Sequence, residues 1–159
     1  MPKRSTPAVT LCAVTILAAT APLQGQTDVP AGDATAFSEA MDAALADGGS
    51  AASLLRCTAL FRAFRLYAGE GTEVGTTAAE HETGLAVAAV VVWQDDTETE
   101  DLEEAFEIIV PMVSEATDLF LARMSDNMDA DDRVFDDALE AELTYCDTLH
   151  DEIAEASGE

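Results

Sequence analysis

Two cysteines constrain this chain more than any other feature of its sequence. Cys57 belongs to a stripe of apolar residues at three- and four-residue steps, which is typical of the buried face of a helix: Leu54, Cys57, Phe61, Phe64 and Ala68. Cys146 lies in a second stripe of this kind, between Leu139 and Ile153. In an oxidising compartment, we expect the two cysteines to form one disulfide bond between two helices.

The start of the chain predicts such a compartment, because residues 1–26 resemble a secretory signal peptide. Lys3 and Arg4 precede an apolar stretch from Ala8 to Ala19, and small and polar residues follow it. The stretch is shorter than the roughly 20 residues that span a bilayer. We therefore predict a periplasmic or secreted protein with one domain at 27–159 and no membrane insertion after cleavage. An uncleaved N-terminal anchor is the alternative.

The charge of the chain excludes one class of partner. The formal net charge is −25, from 32 acidic and 7 basic residues. A field of this sign repels nucleic acids and anionic lipids, so we predict no nucleic-acid partner. The acidity is compatible with a cationic partner, with divalent cations or with solubility alone. After the signal segment the only lysine or arginine residues are Arg56, Arg62, Arg65, Arg123 and Arg133.

Apolar periodicity predicts an all-α fold, a four- or five-helix bundle joined by one disulfide. The run from Leu85 to Trp93 could be a strand by composition, but no second strand exists to pair with it, so we predict a mostly buried helix. The first predicted helix follows a cap at Asp33, and the second covers 51–68 after a cap at Ser50. The third covers 78–94 after a capping box that begins at Thr77. The fourth covers 98–124 and includes Pro111, and the fifth covers 130–156.

The fourth predicted helix carries the clearest bundle seam. Its apolar residues alternate between four- and three-residue steps, and all are expected to face the core: Leu102, Phe106, Ile109, Val113, Ala116 and Phe120. The phase of this stripe continues through Pro111, which favours one helix over two short ones.

A metal site is the alternative use of the two cysteines. Cys146 and His150 are four residues apart on one helix face, and Cys57 from another helix could complete a zinc or copper site. Export would oxidise the cysteines unless metal bound first. The sequence therefore favours the disulfide, and we predict no metal or other cofactor.

After the signal segment, Arg62 and Arg65 form the one local concentration of positive charge. They are three residues apart on the second helix, so both can reach one anionic group, and they are the candidate contact for an anion or a partner. His81 lies between Glu80 and Glu82 and is predicted to be a solvated surface residue.

No familiar catalytic motif accompanies these features. The sequence lacks a Gly-x-Ser-x-Gly elbow, a phosphate-binding loop, a His-Glu-x-x-His pair and a haem attachment site. This favours a non-enzymatic protein that acts through a protein partner over an enzyme. A protein that binds a metal or a small ligand, through the cysteines and His150 or in the bundle interior, is the alternative.

Overall fold

The structure is a computed structural model that describes residues 33–158. Within them the chain forms five helices and a short 3₁₀ segment: α1 (Ala34–Ala44), the 3₁₀ segment (Ala46–Ala51), α2 (Ala52–Ala68), α3 (Glu73–Thr97), α4 (Leu102–Asp131) and α5 (Asp137–Ser157). The predicted all-α fold with one disulfide is confirmed. The predicted signal peptide, residues 1–26, lies outside the described residues.

α2 is the central helix of the bundle. It packs against α3 and α4, and its Cys57 is bonded to α5. Leu55, Leu60 and Phe61 on different sides of α2 are all buried, as expected for a helix enclosed by others. α1 packs against α4, where the ring centroids of Phe37 and Phe120 lie 5.5 Å apart.

α3 begins earlier than the sequence predicts. Its N-cap is Thr72, whose Oγ1 accepts a hydrogen bond of 2.9 Å from the Gly75 amide, whereas the predicted cap, Thr77, lies inside the helix. A Cβ at position 75 would lie 2.2 Å from the Gly69 carbonyl oxygen, so glycine permits this close approach. The glycines at 69, 71 and 75 predict a loop here, because glycine has a low helix propensity. In the structure the backbone of Gly69 packs against Gly75 at the start of α3, and this contact outweighs the low helix propensity.

α3 is helical as predicted, but the prediction that it is mostly buried is wrong. Leu85 and Ala89 are fully buried, whereas Val87 and Val91 on the opposite side are 61% and 60% exposed. Only the face toward the neighbouring helices is covered. No helix within residues 33–158 combines the length and the apolar character that a membrane crossing requires.

α4 continues through Pro111 as one helix, as predicted, but both of its ends differ from the prediction. Asp101 caps its start by accepting hydrogen bonds from the amides of Glu103 and Glu104. The predicted turn at 125–129 is helical, because α4 continues to Asp131 with the side chain of Asn127 buried. α5 therefore begins at Asp137 rather than at 130, with Asp136 as its N-cap.

Candidate functional site

The two cysteines are bonded to each other in the core. Their Sγ atoms are 2.04 Å apart, and Cys57 and Cys146 are 1% and 0% exposed. A zinc or copper ligand must be a free thiolate, so the alternative metal site at Cys57, Cys146 and His150 is wrong for this oxidised form. Within residues 33–158 no group of three or more His, Cys, Asp or Glu side chains is placed to hold a metal ion.

Arg62 and Arg65 both bind one carboxylate of α3. The Nε atoms of Arg62 and Arg65 donate to the two oxygens of Glu82, at 2.8 and 2.7 Å, and Glu82 is 8% exposed. Arg65 also binds Glu70 through Nη1. The hydrogen bond with Glu82 raises the pKa of Arg65, because it stabilises the charged guanidinium. The anion at this predicted site is therefore an internal one, and contact with an external anion or partner stays a prediction.

The other three arginines also pair with carboxylates of the chain. Arg56 of α2 binds Glu142 on the inner face of α5, which explains how a glutamate can occupy that apolar stripe with its side chain 14% exposed. The remaining pairs are Arg123 with Asp136, and Arg133 with Asp137 and Glu140. Because every arginine of the described residues has a partner within the chain, the excess charge left on the surface is negative.

His81 is not the solvated residue that the sequence predicts. Its ring stacks on His150 of α5, with centroids 4.0 Å apart, and meets Phe61 edge-on at 4.8 Å. Both histidine side chains are 21% exposed. Asp147 Oδ1 lies 3.2 Å from His81 Nδ1 but outside hydrogen-bonding geometry, and neither Nδ1 atom has a hydrogen-bond partner within the described residues. The stacked pair thus packs α5 against α3.

Two carboxylates missed by the sequence analysis join segments that are distant along the chain. Asp96 of α3 accepts hydrogen bonds from the amide and hydroxyl of Ser50, and these lower the pKa of Asp96. Ser50 therefore binds α3 and does not cap α2, whose N-cap Ala51 has no side-chain hydrogen bond. No local sequence pattern marks such a contact, because its partners lie on different helices.

Asp136 combines two roles at the start of α5. It accepts hydrogen bonds from the Leu139 amide at 2.8 Å and from Arg123 Nη2 at 2.7 Å. Burial alone would raise the pKa of Asp136, but the hydrogen bonds and the nearby guanidinium outweigh it, and the pKa is lowered.

An open apolar groove lies between α3 and α4, with α2 as its floor. We call it the α3–α4 groove, and its volume is about 330 Å³. Val87 and Val91 form one rim, and Leu102, Phe106 and Val110 form the other, each at least 50% exposed. The remaining lining residues are Leu55, Thr58, Arg62, Ala86, Val90, Gln94, Ile109 and Val113.

The groove explains where the predicted seam of α4 fails. Ile109, Val113, Ala116 and Phe120 are buried as predicted, but Leu102 and Phe106 at the start of the stripe are exposed and line the groove. α3 and α4 each contact α2 more extensively than they contact each other, which leaves these side chains uncovered. Periodicity identifies an apolar face of a helix but does not say whether another helix covers it.

Comparison with known proteins adds no functional assignment, since no protein-family model, curated protein or solved structure matches this chain.

Proposed function

We propose that this protein is an exported, non-enzymatic binding protein whose α3–α4 groove holds an amphipathic helix with basic flanks from a partner protein. The observation that carries the proposal is an open apolar groove on an acidic molecule whose described arginines are all paired internally.

The shape of the groove suits a helix. Val87 and Val91 are one turn apart on α3, and the rim residues of α4 follow the same four-residue step. An amphipathic helix presents its own apolar side chains at steps of three and four residues, which can lie between two such rims. Soluble proteins rarely expose a large contiguous apolar patch that has no binding role.

The charge around the groove selects the flanks of that helix. Exposed carboxylates directly follow the lining residues along the chain: Asp95 after Gln94, Glu103 after Leu102, and Glu107 after Phe106. Lysine or arginine beside the apolar face of a partner helix would complement these carboxylates and accelerate association.

Two other occupants are less well supported. A second copy of the chain would bring the same excess of negative charge, so electrostatic repulsion opposes self-association through this surface. A small apolar ligand is best held in a cleft that encloses most of its surface, whereas this groove is open to solvent along its length.

Export is supported by the predicted signal peptide and by the oxidised cysteines. The mass of the protein recovered from the periplasm or medium tests it. We expect loss of a segment that ends near Gln26 and no free thiol at Cys57 or Cys146. An intact N-terminus on protein retained in the cytoplasm would contradict the proposed location.

A designed peptide tests the groove. We would titrate a fluorescent, amidated amphipathic helix of leucine and lysine into the protein and measure its anisotropy at two salt concentrations. We expect binding that survives at the higher salt concentration, and a Kd about tenfold weaker for Val91→Gln and for Phe106→Gln, because each change removes apolar area from the contact.

Val74→Gln is the matched control, because Val74 is an exposed valine of the same helix that does not line the groove. We expect its Kd to equal that of the unmodified protein. Equal binding by all three variants would show that the peptide binds only the acidic surface, and would overturn the proposal. A dimer that forms with rising protein concentration and is lost in Phe106→Gln would instead identify a second copy as the occupant.

A further inference from the structure

Arg62 is the one charged side chain among the residues that line the α3–α4 groove. Its Nε is held by Glu82, but its Nη1 and Nη2 atoms make no hydrogen bond within the described residues. Arg65, one turn away, differs in this respect, because its Nη1 binds Glu70 and its Nη2 lies 3.5 Å from Glu82. The side chain of Arg62 is 34% exposed and lines the groove, so it is accessible to a molecule bound there.

The charges around Arg62 leave room for another anion. Glu82 is shared between two guanidinium groups, so it balances only one of their two positive charges. Glu70 supplies a second carboxylate, but it is largely exposed and contacts Arg65 rather than Arg62. The two carboxylates balance the two guanidinium groups, but both of them contact Arg65 and only Glu82 contacts Arg62, so Arg62 is the less fully paired of the two arginines.

A docked helix would exclude water from Nη1 and Nη2 of Arg62. A guanidinium that loses water without gaining an acceptor is strongly unfavourable, and a wholly apolar helix face offers no acceptor. Carboxylates suit this position best, because they accept charge-assisted hydrogen bonds in the planar geometry that arginine offers.

From this geometry we infer that the partner helix carries one carboxylate within its apolar face, and that Arg62 binds it and sets the register of the helix in the groove. This inference rests on the proposed function and adds a specificity determinant to it. The ligand is thus an amphipathic helix with basic flanks and a single acidic side chain among its apolar residues.

A scan of the leucine–lysine peptide tests the inference. Each leucine in turn is replaced by glutamate and, in a parallel series, by glutamine, which has nearly the same shape but no charge. At one position we expect the glutamate peptide to bind about tenfold more tightly than its glutamine counterpart, and this preference should be lost in Arg62→Met. Arg133→Gln, which removes an exposed arginine that does not line the groove, should keep the preference.

The outcomes separate the inference from the proposed function. Groove-dependent binding with no glutamate preference at any position would overturn the role of Arg62 and leave the groove intact as a helix site. A glutamate preference that persists in Arg62→Met would also overturn it. The comparison of glutamate and glutamine peptides on the unmodified protein decides the question even if Arg62→Met fails to fold. Loss of all groove-dependent binding would instead remove the proposed function itself.

Discussion

The α2–α5 contact and the α3–α4 groove are both built from apolar residues at helical spacing, but only the first is sealed. At the α2–α5 contact, Cys57 and Cys146 are almost fully buried, and Arg56 and Glu142 pair beside them. At the groove, the rim side chains are at least half exposed. Similar sequence patterns therefore mark both a covered contact and an uncovered groove.

The position of α2 accounts for the difference. α2 lies among the other helices and packs against both α3 and α4, so its apolar residues are covered from several directions. α3 and α4 share α2 as a common support, and their outer apolar residues have no further helix above them within residues 33–158. Changes at the sealed contact should therefore affect stability, whereas changes at the groove should affect binding.

The largest loss of stability is expected from removal of the disulfide. The bond joins residues 89 positions apart, and closing a loop of that length contributes roughly 4–5 kcal/mol. We expect the double variant Cys57→Ala and Cys146→Ala to lose about this much of its free energy of unfolding, measured by urea denaturation. The matched double variant Val87→Ala and Val91→Ala changes two groove residues and should lose less than about 1 kcal/mol. Equal losses would remove the distinction between the two regions.

A second comparison lies within one helix. Leu85 and Val91 are both apolar residues of α3, but Leu85 is fully buried and Val91 is 60% exposed. We expect Leu85→Ala to cost about 2–5 kcal/mol because it leaves a cavity. Val91→Ala should change stability by no more than about 0.5 kcal/mol, since it removes little buried area. Thermal and urea unfolding of both variants measures this, and a large cost for Val91→Ala would show that the groove is part of the core.

The features fixed by local chemistry could be predicted from the sequence. The apolar stripes predict the helices, and two cysteines on such stripes in a chain predicted to be exported predict the disulfide. The pairing of the arginines with internal carboxylates also follows from a chain with so few cations. The predicted helix ends fail where the decisive contacts are distant in sequence, as with Ser50 and Asp96, or depend on close backbone approach, as at Gly75.

The candidate site could be predicted only in part. Arg62 stands out in the sequence, but its two roles, binding Glu82 and lining a groove, depend on how α2, α3 and α4 pack together. The groove itself could not be predicted, because Leu102 and Phe106 continue the same stripe as buried residues such as Ile109. No property of a single helix distinguishes a covered residue from an uncovered one on the same face.

A smaller loss of stability is expected from removal of the Glu82 carboxylate, which pairs with Arg62 beside the groove and with Arg65. Glu82→Gln keeps the shape of the side chain but leaves Arg62 and Arg65 without their common charged partner. We expect a loss of about 1–3 kcal/mol in the free energy of unfolding, because Glu82 is buried and its hydrogen bonds are charge-assisted. Arg133→Gln breaks pairs with exposed carboxylates and should lose less than about 1 kcal/mol. Equal losses would show that the cluster stabilises the fold no more than an exposed ion pair does.

The smallest loss of stability is expected for a change at Asp136, and its size should depend on pH. The folded protein lowers the pKa of Asp136, so its contribution is fully present above the ordinary aspartate pKa of about 3.9. That contribution is lost as the pH falls through the lower folded value. Asp136→Asn keeps an N-cap acceptor but loses the charge that binds Arg123, which should cost about 1 kcal/mol at neutral pH.

The pH dependence of that difference distinguishes the charge of Asp136 from its shape. The free energies of unfolding of the unmodified protein and Asp136→Asn, measured by urea denaturation from neutral to acidic pH, should begin to converge below about pH 4 and should meet below the lowered folded pKa of Asp136, because protonated Asp136 then resembles asparagine. Asp118→Asn serves as the control, since Asp118 is an exposed residue of α4 that makes no ion pair within the described residues. A difference for Asp136→Asn that stays constant into acid would assign the loss to cap geometry. In that case the hydrogen bond from the Leu139 amide would hold the start of α5, and the ion pair between Asp136 and Arg123 would contribute little to the free energy of unfolding.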